Sequence, residues 1–424
     1  MMETDRAFDY RRALEALRNG VPNRDAVREL GSHQPDAESA FLEKLASVES
    51  SARDGKQVRG LLIAGDFGTG KSHLLDYLEH LAVSKNFVSS RVVVSKETPL
   101  FDPDKLYHAA IDGAEVPGLA GEAIREMILR LQPNTRRYAE FSAWANSLAS
   151  QLNPIFAATI LLHEKLNNDP ELVEQVTRFW LGERLAIGKI KQGLKQIGAS
   201  GTYSLKQVRV KELALQRYRF LARLIQAAGY SGWVLLIDEV ELVGRYSLLQ
   251  RGRSYAELAR WMGHLKGEVY PGLVAVAAIT DDFGLAVLQE KSDRDIVGTR
   301  FRAKETDEYV ALAGRAEAGM RLIEREALIL QPPGESTLAH TYRRLKEIHA
   351  KAYGWDPPEI PESPVTVTAM TRRMRSYVRR WVNEWDLKRL YPGAEVSAEE
   401  EPQIHLTYEQ DEALEQVSTP SDEE

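Results

Sequence analysis

Gly65-Asp66-Phe67-Gly68-Thr69-Gly70-Lys71-Ser72 decides how this chain is read. The octet fits G-x-x-x-x-G-K-[ST], the pattern of a loop that cradles phosphates. Its residue types follow from that task. Glycines admit positive φ angles, so successive backbone N–H groups can turn toward one anion. A helix starting at the lysine adds its unpaired N–H groups and the positive end of its dipole. Lys71 is then expected to bridge the β- and γ-phosphates, and the Ser72 hydroxyl to ligate magnesium. The expected ligand is ATP with Mg²⁺, held by Gly65, Asp66, Phe67, Gly68, Thr69, Gly70, Lys71, Ser72 and the adjoining His73.

Outward from the loop, the flanks suit it. The run 58–64 is apolar and closes on Gly65, as a buried parallel strand would. Leu74, Leu75, Leu78 and Leu81 give the following segment one apolar helical face. Further strands are expected at 91–94, 233–237 and 273–279, with helical patterning at 105–200, 214–228 and 308–353. Alternation of this kind predicts an α/β fold, a parallel sheet with helices on both faces. The expected division is a helical preface (1–50), a P-loop half (51–104), a helical insertion (105–200) and an acidic-strand and sensor half (201–306). A C-terminal helical or winged-helix-like domain (307–392) and an acidic disordered tail (393–424) complete it. Lys71 and Asp238 stand too far apart for a minimal nucleotide-binding core, which is why 105–200 reads as an insertion and a candidate surface for partners.

The strand 233–237 delivers Asp238 and Glu239 at its carboxyl end, where open α/β sheets bind ligands. Asp238 is expected to hold Mg²⁺ opposite Ser72, and Glu239 to act as general base on the attacking water. Glu241 reads as a solvated neighbour. Thr280 follows the strand 273–279 as a polar sensor for the γ-phosphate. Arg300 and Arg302 are candidates for an arginine finger reaching a second copy of the chain. In the basic segment 366–390, Met370, Met374, Tyr377, Trp381 and Trp385 form a packing stripe. Arg372, Arg375 and Arg379 share another face, with Arg373 and Arg380 nearby, suited to a nucleotide or to nucleic-acid phosphates.

Composition narrows the alternatives. The chain has no cysteine, which excludes disulfides, thiolate zinc sites and a cysteine nucleophile. Its nine histidines show no H-E-x-x-H spacing, and there is no G-x-S-x-G elbow, helicase motif series or nuclease carboxylate cluster. The polar amino terminus lacks an apolar h-region and no run approaches the ~20 residues that span a bilayer, so a cytoplasmic protein is expected. Eleven acids and no Lys or Arg follow residue 392, and without them the net charge of −7 becomes +4. A mildly basic body thus carries a strongly acidic end.

These residues also carry a family likeness. The stretch from Gly65 to His73 resembles the P-loop of the BREX phage-defence ATP-binding proteins, and Leu235-Leu236-Ile237-Asp238-Glu239-Val240-Glu241 is similar to their acidic strand. Gly20-Val21-Pro22 and Ala352-Tyr353-Gly354-Trp355 are similar to family phrases, and the length suits the smaller, BrxD-like members. The likeness covers most of residues 7–392. It implies an AAA+-type ATPase core, related in style to origin-recognition loaders, in bacterial antiviral defence. It also implies a helicase-like protein as a partner. Double- or single-stranded DNA is a second expected partner, and a homo-oligomer is an assembly that the likeness leaves open. The alternative is a nucleotide-gated adaptor with negligible turnover, to which the insertion, basic helix and acidic tail are suited.

Overall fold

The computed structural model describes residues 2–19, 24–166, 168–206, 208, 210–360, 374–392 and 408–411. In chain order the elements are α1 (Met2–Arg18), α2 (Arg24–Leu30), α3 (Pro35–Arg53), β1 (Leu61–Ala64), α4 (Lys71–Ser84) and β2 (Val88–Val93). Next come α5 (Pro103–Asp112), β3 (Ala114–Glu115), α6 (Ala123–Leu129), α7 (Arg136–Ala145), α8 (Pro154–Lys165), α9 (Pro170–Trp180), α10 (Ile187–Gln196) and α11 (Val210–Ala227). The second half holds β4 (Trp233–Asp238), α12 (Leu248–Trp261), β5 (Leu273–Ile279), α13 (Asp293–Arg302), α14 (Asp307–Arg325), β6 (Leu328–Ile329), α15 (Glu335–Tyr353) and α16 (Met374–Leu390).

One sheet runs β3-β2-β4-β5-β1-β6. Every pairing is parallel except that of β2 with β3. β5 lies between β1 and β4, so the strand that Thr280 follows separates the loop at 65–72 from the acidic strand end. This is the α/β architecture expected, an AAA+-like sheet flanked by helices.

Period-two alternation builds its two faces. Leu61, Ile63, Val234, Leu236, Val274 and Val276 pack with Phe41 and Leu45 of α3 and Leu74 and Leu78 of α4. Leu62, Trp233, Leu235, Ile237, Ala275 and Ile279 face the other way, onto α5, α11, α12 and α14. β1, β4 and β5 are buried on both faces, which is why they read as continuous apolar runs rather than alternating ones, whereas β2 carries Ser89, Ser90 and Arg91. Helices α6 to α10 extend the second core without a break: Phe156, Trp180 and Ile190 belong to the same cluster as Trp233. Trp233 stacks on Tyr218 at 5.5 Å and donates Nε1–H to Ser90 Oγ at 2.9 Å, so its one polar atom is satisfied in the interior.

Several local expectations shift. The first strand is shorter than the apolar run 58–64, and the second begins earlier than 91–94. The helical block 105–200 contains β3, whose antiparallel pairing extends the sheet past β2. Residues 308–353 are not continuously helical. Leu328 and Ile329 pair with Ile63 and Ala64, and the Leu330 N–H donates to Ala64 O at 2.7 Å, completing the far edge of the sheet. Two β-forming apolar residues between helices are too short a run for periodicity to reveal.

A third cluster joins the two ends of the described chain: Leu14 and Leu17 of α1, Leu30 of α2, Leu345 and Ile348 of α15, and Val382 and Trp385 of α16. At its border Asp386 accepts from Arg18 and from His349 Nε2 at 3.2 Å. Trp355 donates to His349 Nδ1 at 2.8 Å, which fixes the proton of a neutral ring on Nε2. Burial alone would raise the Asp386 carboxyl, but His349 and Arg18 hold it below its ordinary value.

Candidate functional site

The phosphate loop begins where β1 stops. Gly65 N–H donates to Ile279 O at 3.2 Å, tying the loop to the end of β5. Gly68 and Gly70 take φ of 77° and 96°, a left-handed conformation that a side chain disfavours. A Cβ on Gly70 would meet nothing within 4 Å, so the loop faces open space there. Thr69 Oγ1 donates to Asp66 O at 2.8 Å, and a Cβ on Gly65 would lie 2.7 Å from that same hydroxyl oxygen. Lys71, the first residue of α4, is buried and donates to Gly65 O at 2.8 Å. Its ammonium lies 5.1 Å above the Phe67 ring and 3.6 Å from Glu241 Oε1. His73 donates Nε2–H to Gly31 O at 2.7 Å, which ties the loop helix to the end of α2.

Asp238 closes β4 and is buried. One carboxylate oxygen accepts from Glu239 N–H at 2.9 Å and the other from Arg91 Nη2 at 2.7 Å. Arg91 also pairs with Asp76 of α4, so one guanidinium ties β2 to β4 and to the loop helix. Glu239 is exposed and holds φ of 56° at the turn that follows, a costly conformation for a residue with a side chain. The surrounding loops desolvate its carboxyl and raise it above the ordinary range, with the Asp238 charge adding to the effect. Glu241 is not solvated as expected. It is 4% exposed, and burial pushes its carboxyl up to about 7 against the pull of Lys71. Its Oε2 is buried without a hydrogen-bond partner among the described residues.

These groups line one cavity of about 310 Å³. Phe67 to Leu74, Asp238, Glu239 and Glu241 form one wall; Leu17, Leu30, His33, Gln331, Pro332, Thr341, Met374, Arg375 and Val378 form the other. Gln34 and Gln331 exchange hydrogen bonds at 2.9 and 3.0 Å across its rim. Of the arginines considered on α16, Arg375 reaches this cavity and Arg379 donates to Arg18 O at 3.2 Å. Arg372 and Arg373 lie outside the described residues, as does Met370.

Thr280, buried at the end of β5, lines a second cavity of about 510 Å³ with Ala64, Asp281, Arg294 and Glu324. Its hydroxyl lies 2.6 Å from the Tyr408 hydroxyl, which donates to Asp282 Oδ1 at 2.8 Å. The acidic end was expected to be disordered, yet residues 408–411 pack here. Arg302 pairs with Glu317 at 2.7 Å. Arg300 is exposed on α13, lines neither cavity and has no ion pair among the described residues. Among those residues there is no cluster of three or more His, Asp or Glu suited to a metal, and no helix is long and apolar enough to cross a membrane.

The model of the BREX system ATP-binding protein BrxC/D family matches residues 7–184 and 202–381. The chain belongs to that family. No curated protein and no solved structure matches it. For a BrxC/D-family chain the residues at the loop fit a phosphate group: open space above Gly70, positive φ at Gly68 and Gly70, and the buried Lys71 ammonium beside them. Sequence reasoning missed Arg91, although a lone charge within a buried strand was a signal. It also missed the wall made by 30–34 and 331–341, which no local pattern marks.

Proposed function

We propose that this BrxC/D-family protein is a Mg²⁺-dependent AAA+-type ATPase of a bacterial anti-phage defence system. The observation that supports it is the gathering of Lys71, Ser72, Asp238 and Glu239 around one cavity from elements far apart in the chain. In this reading the backbone of Gly65, Asp66, Phe67, Gly68, Thr69 and Gly70 and the side chain of Lys71 bind the triphosphate. His73 supports the loop from behind, and Arg372 or Arg375 approaches the nucleotide from the basic segment. Ser72 and Asp238 hold magnesium, which neutralises charge on the phosphate oxygens. Glu239 accepts a proton from the attacking water; its raised carboxyl and strained backbone suit a general base held at a fixed point. Thr280 donates to the γ-phosphate, and Arg300, which has no ion pair among the described residues, acts on a neighbouring copy in a homo-oligomer.

Action on DNA, or loading of a helicase-like partner there, is the reading the surface supports. From 184 to 211 the chain carries seven bases and no acid, and Arg184, Lys189, Lys191, Lys195 and Lys206 are exposed. Such a stripe fits a phosphate backbone. Affinity for double- or single-stranded DNA should then fall steeply with salt in an anisotropy titration; flat or absent binding removes the DNA partner.

The enzyme reading is tested with two variants. Glu239→Gln should retain ATP binding and lose about 10²- to 10³-fold in turnover, within the range for a general base. Lys71→Ala should lose ATP binding. A Glu239→Gln protein with full biological function would replace the enzyme with a nucleotide-gated adaptor.

A further inference from the structure

We propose that the carboxyl ends of β4 and β5 form a peptide socket for this chain's own segment 408–411, and that the docked segment withholds the Thr280 hydroxyl from phosphate. The second half rests on the reading of Thr280 as a γ-phosphate contact; the first stands on geometry alone.

The socket is built to the shape of a tyrosine followed by acids. Gly244 leaves the room: a Cβ there would lie 2.6 Å from Tyr408 Cδ1. Phe283 meets the tyrosine ring edge-on at 5.9 Å. Lys291 donates to both Gly244 O and Tyr408 O. Arg245 pairs with Asp411 at 3.1 Å, and the Asp411 N–H donates to Arg245 O at 3.1 Å. Aromatic, cationic and backbone groups therefore all address one short acidic segment, which leaves Tyr408 only 8% exposed.

A hydroxyl has one proton to donate, and an ionised carboxylate only accepts. Tyr408 donates its proton to Asp282, so the 2.6 Å contact with Thr280 is completed by the Thr280 proton. A γ-phosphate oxygen is likewise an acceptor and needs that proton. Docked tyrosine and bound γ-phosphate therefore compete for a single O–H, and turnover requires the segment to leave.

The test uses the full chain. Hydrogen exchange should show the amides of 408–411 protected, and a non-hydrolysable ATP analogue with Mg²⁺ should reduce that protection. Tyr408→Phe should speed exchange and raise kcat roughly two- to tenfold, the range of one net hydrogen bond, while changing KM less. Asp411→Asn, which loosens docking without touching the Thr280 partner, should act in the same direction. Exchange at 408–411 as fast as in an unstructured peptide overturns the socket. Protection indifferent to the analogue, or turnover unchanged or lowered in both variants, overturns the competition. If no form of the protein turns ATP over, the ATPase reading fails instead, and exchange still judges the socket and its response to the analogue.

Discussion

Lys71 shows how one side chain meets conflicting demands. Its ammonium is held by Gly65 O and faces Glu241, the partner that burial disfavours in its charged form. A buried ion pair is weak evidence for stability, because removing two charges from water offsets their attraction. At Glu241 the desolvation wins, since its carboxyl titrates near 7, well above the roughly 4.3 of an unfolded chain. Between those values the folded state binds the extra proton, so stability falls as pH rises from about 4.5 to 7 and then levels. Glu241→Gln abolishes this dependence. Its melting temperature should match wild type near pH 4, exceed it increasingly from about pH 4.5 to 7, and keep a near-constant margin above that. A difference that shrinks with pH would reverse the assignment. The same variant removes a negative charge beside the phosphate loop and should tighten ATP binding at pH 8.

At the scale of elements, close approach decides what the helices tolerate. α12 and α14 cross at Gly319, where a Cβ would overlap the Tyr255 carbonyl oxygen. The obstacle is backbone and cannot swing aside. Gly319→Ala should therefore cost about 2–3 kcal/mol in denaturant unfolding, as overpacking does. Gly314 lies on the same helix with nothing within 4 Å of its missing Cβ. Gly314→Ala should instead stabilise by about 0.5–1 kcal/mol through helix propensity. Opposite signs within one helix separate packing from propensity. Arg91 works at the same scale. A guanidinium in a strand joins Asp76 of α4 to Asp238 of β4, fixing the acidic strand end against the helix that carries Lys71 and Ser72.

Across the whole molecule, the cavity at residues 67–74 depends on α1, α2, α15 and α16. Trp385 is fully buried, donates Nε1–H to Pro358 O at 3.0 Å and packs among α1, α2 and α15. Trp385→Ala should cost about 3–5 kcal/mol locally. Because Leu17, Leu30 and Arg375 form one wall of the cavity, it should also weaken ATP binding although the residue touches none of the loop. Thermal unfolding and ATP titration on one variant check both, and unchanged affinity would uncouple that cluster from the site.

The conformation of residues 65–72 and the acidic end of β4 were legible because local chemistry dictates them. Positive-φ glycines, a lysine at a helix start and acids after an apolar run leave little choice of structure. β1, β4 and β5 were legible because burial on both faces demands continuous apolar residues, whereas Ser89, Ser90 and Arg91 hid the start of β2. Tertiary structure alone decided the rest. Glu241 looked solvated, and only the fold encloses it against Lys71. β3 and β6 are too short to carry a period and exist because a neighbouring strand offers hydrogen bonds. Residues 408–411 belong to a stretch whose charge reads as unstructured, yet Gly244, Phe283 and Lys291 supply a place that fits them. Periodicity and motifs report what a segment does alone; enclosure and long-range pairing depend on which distant residues arrive.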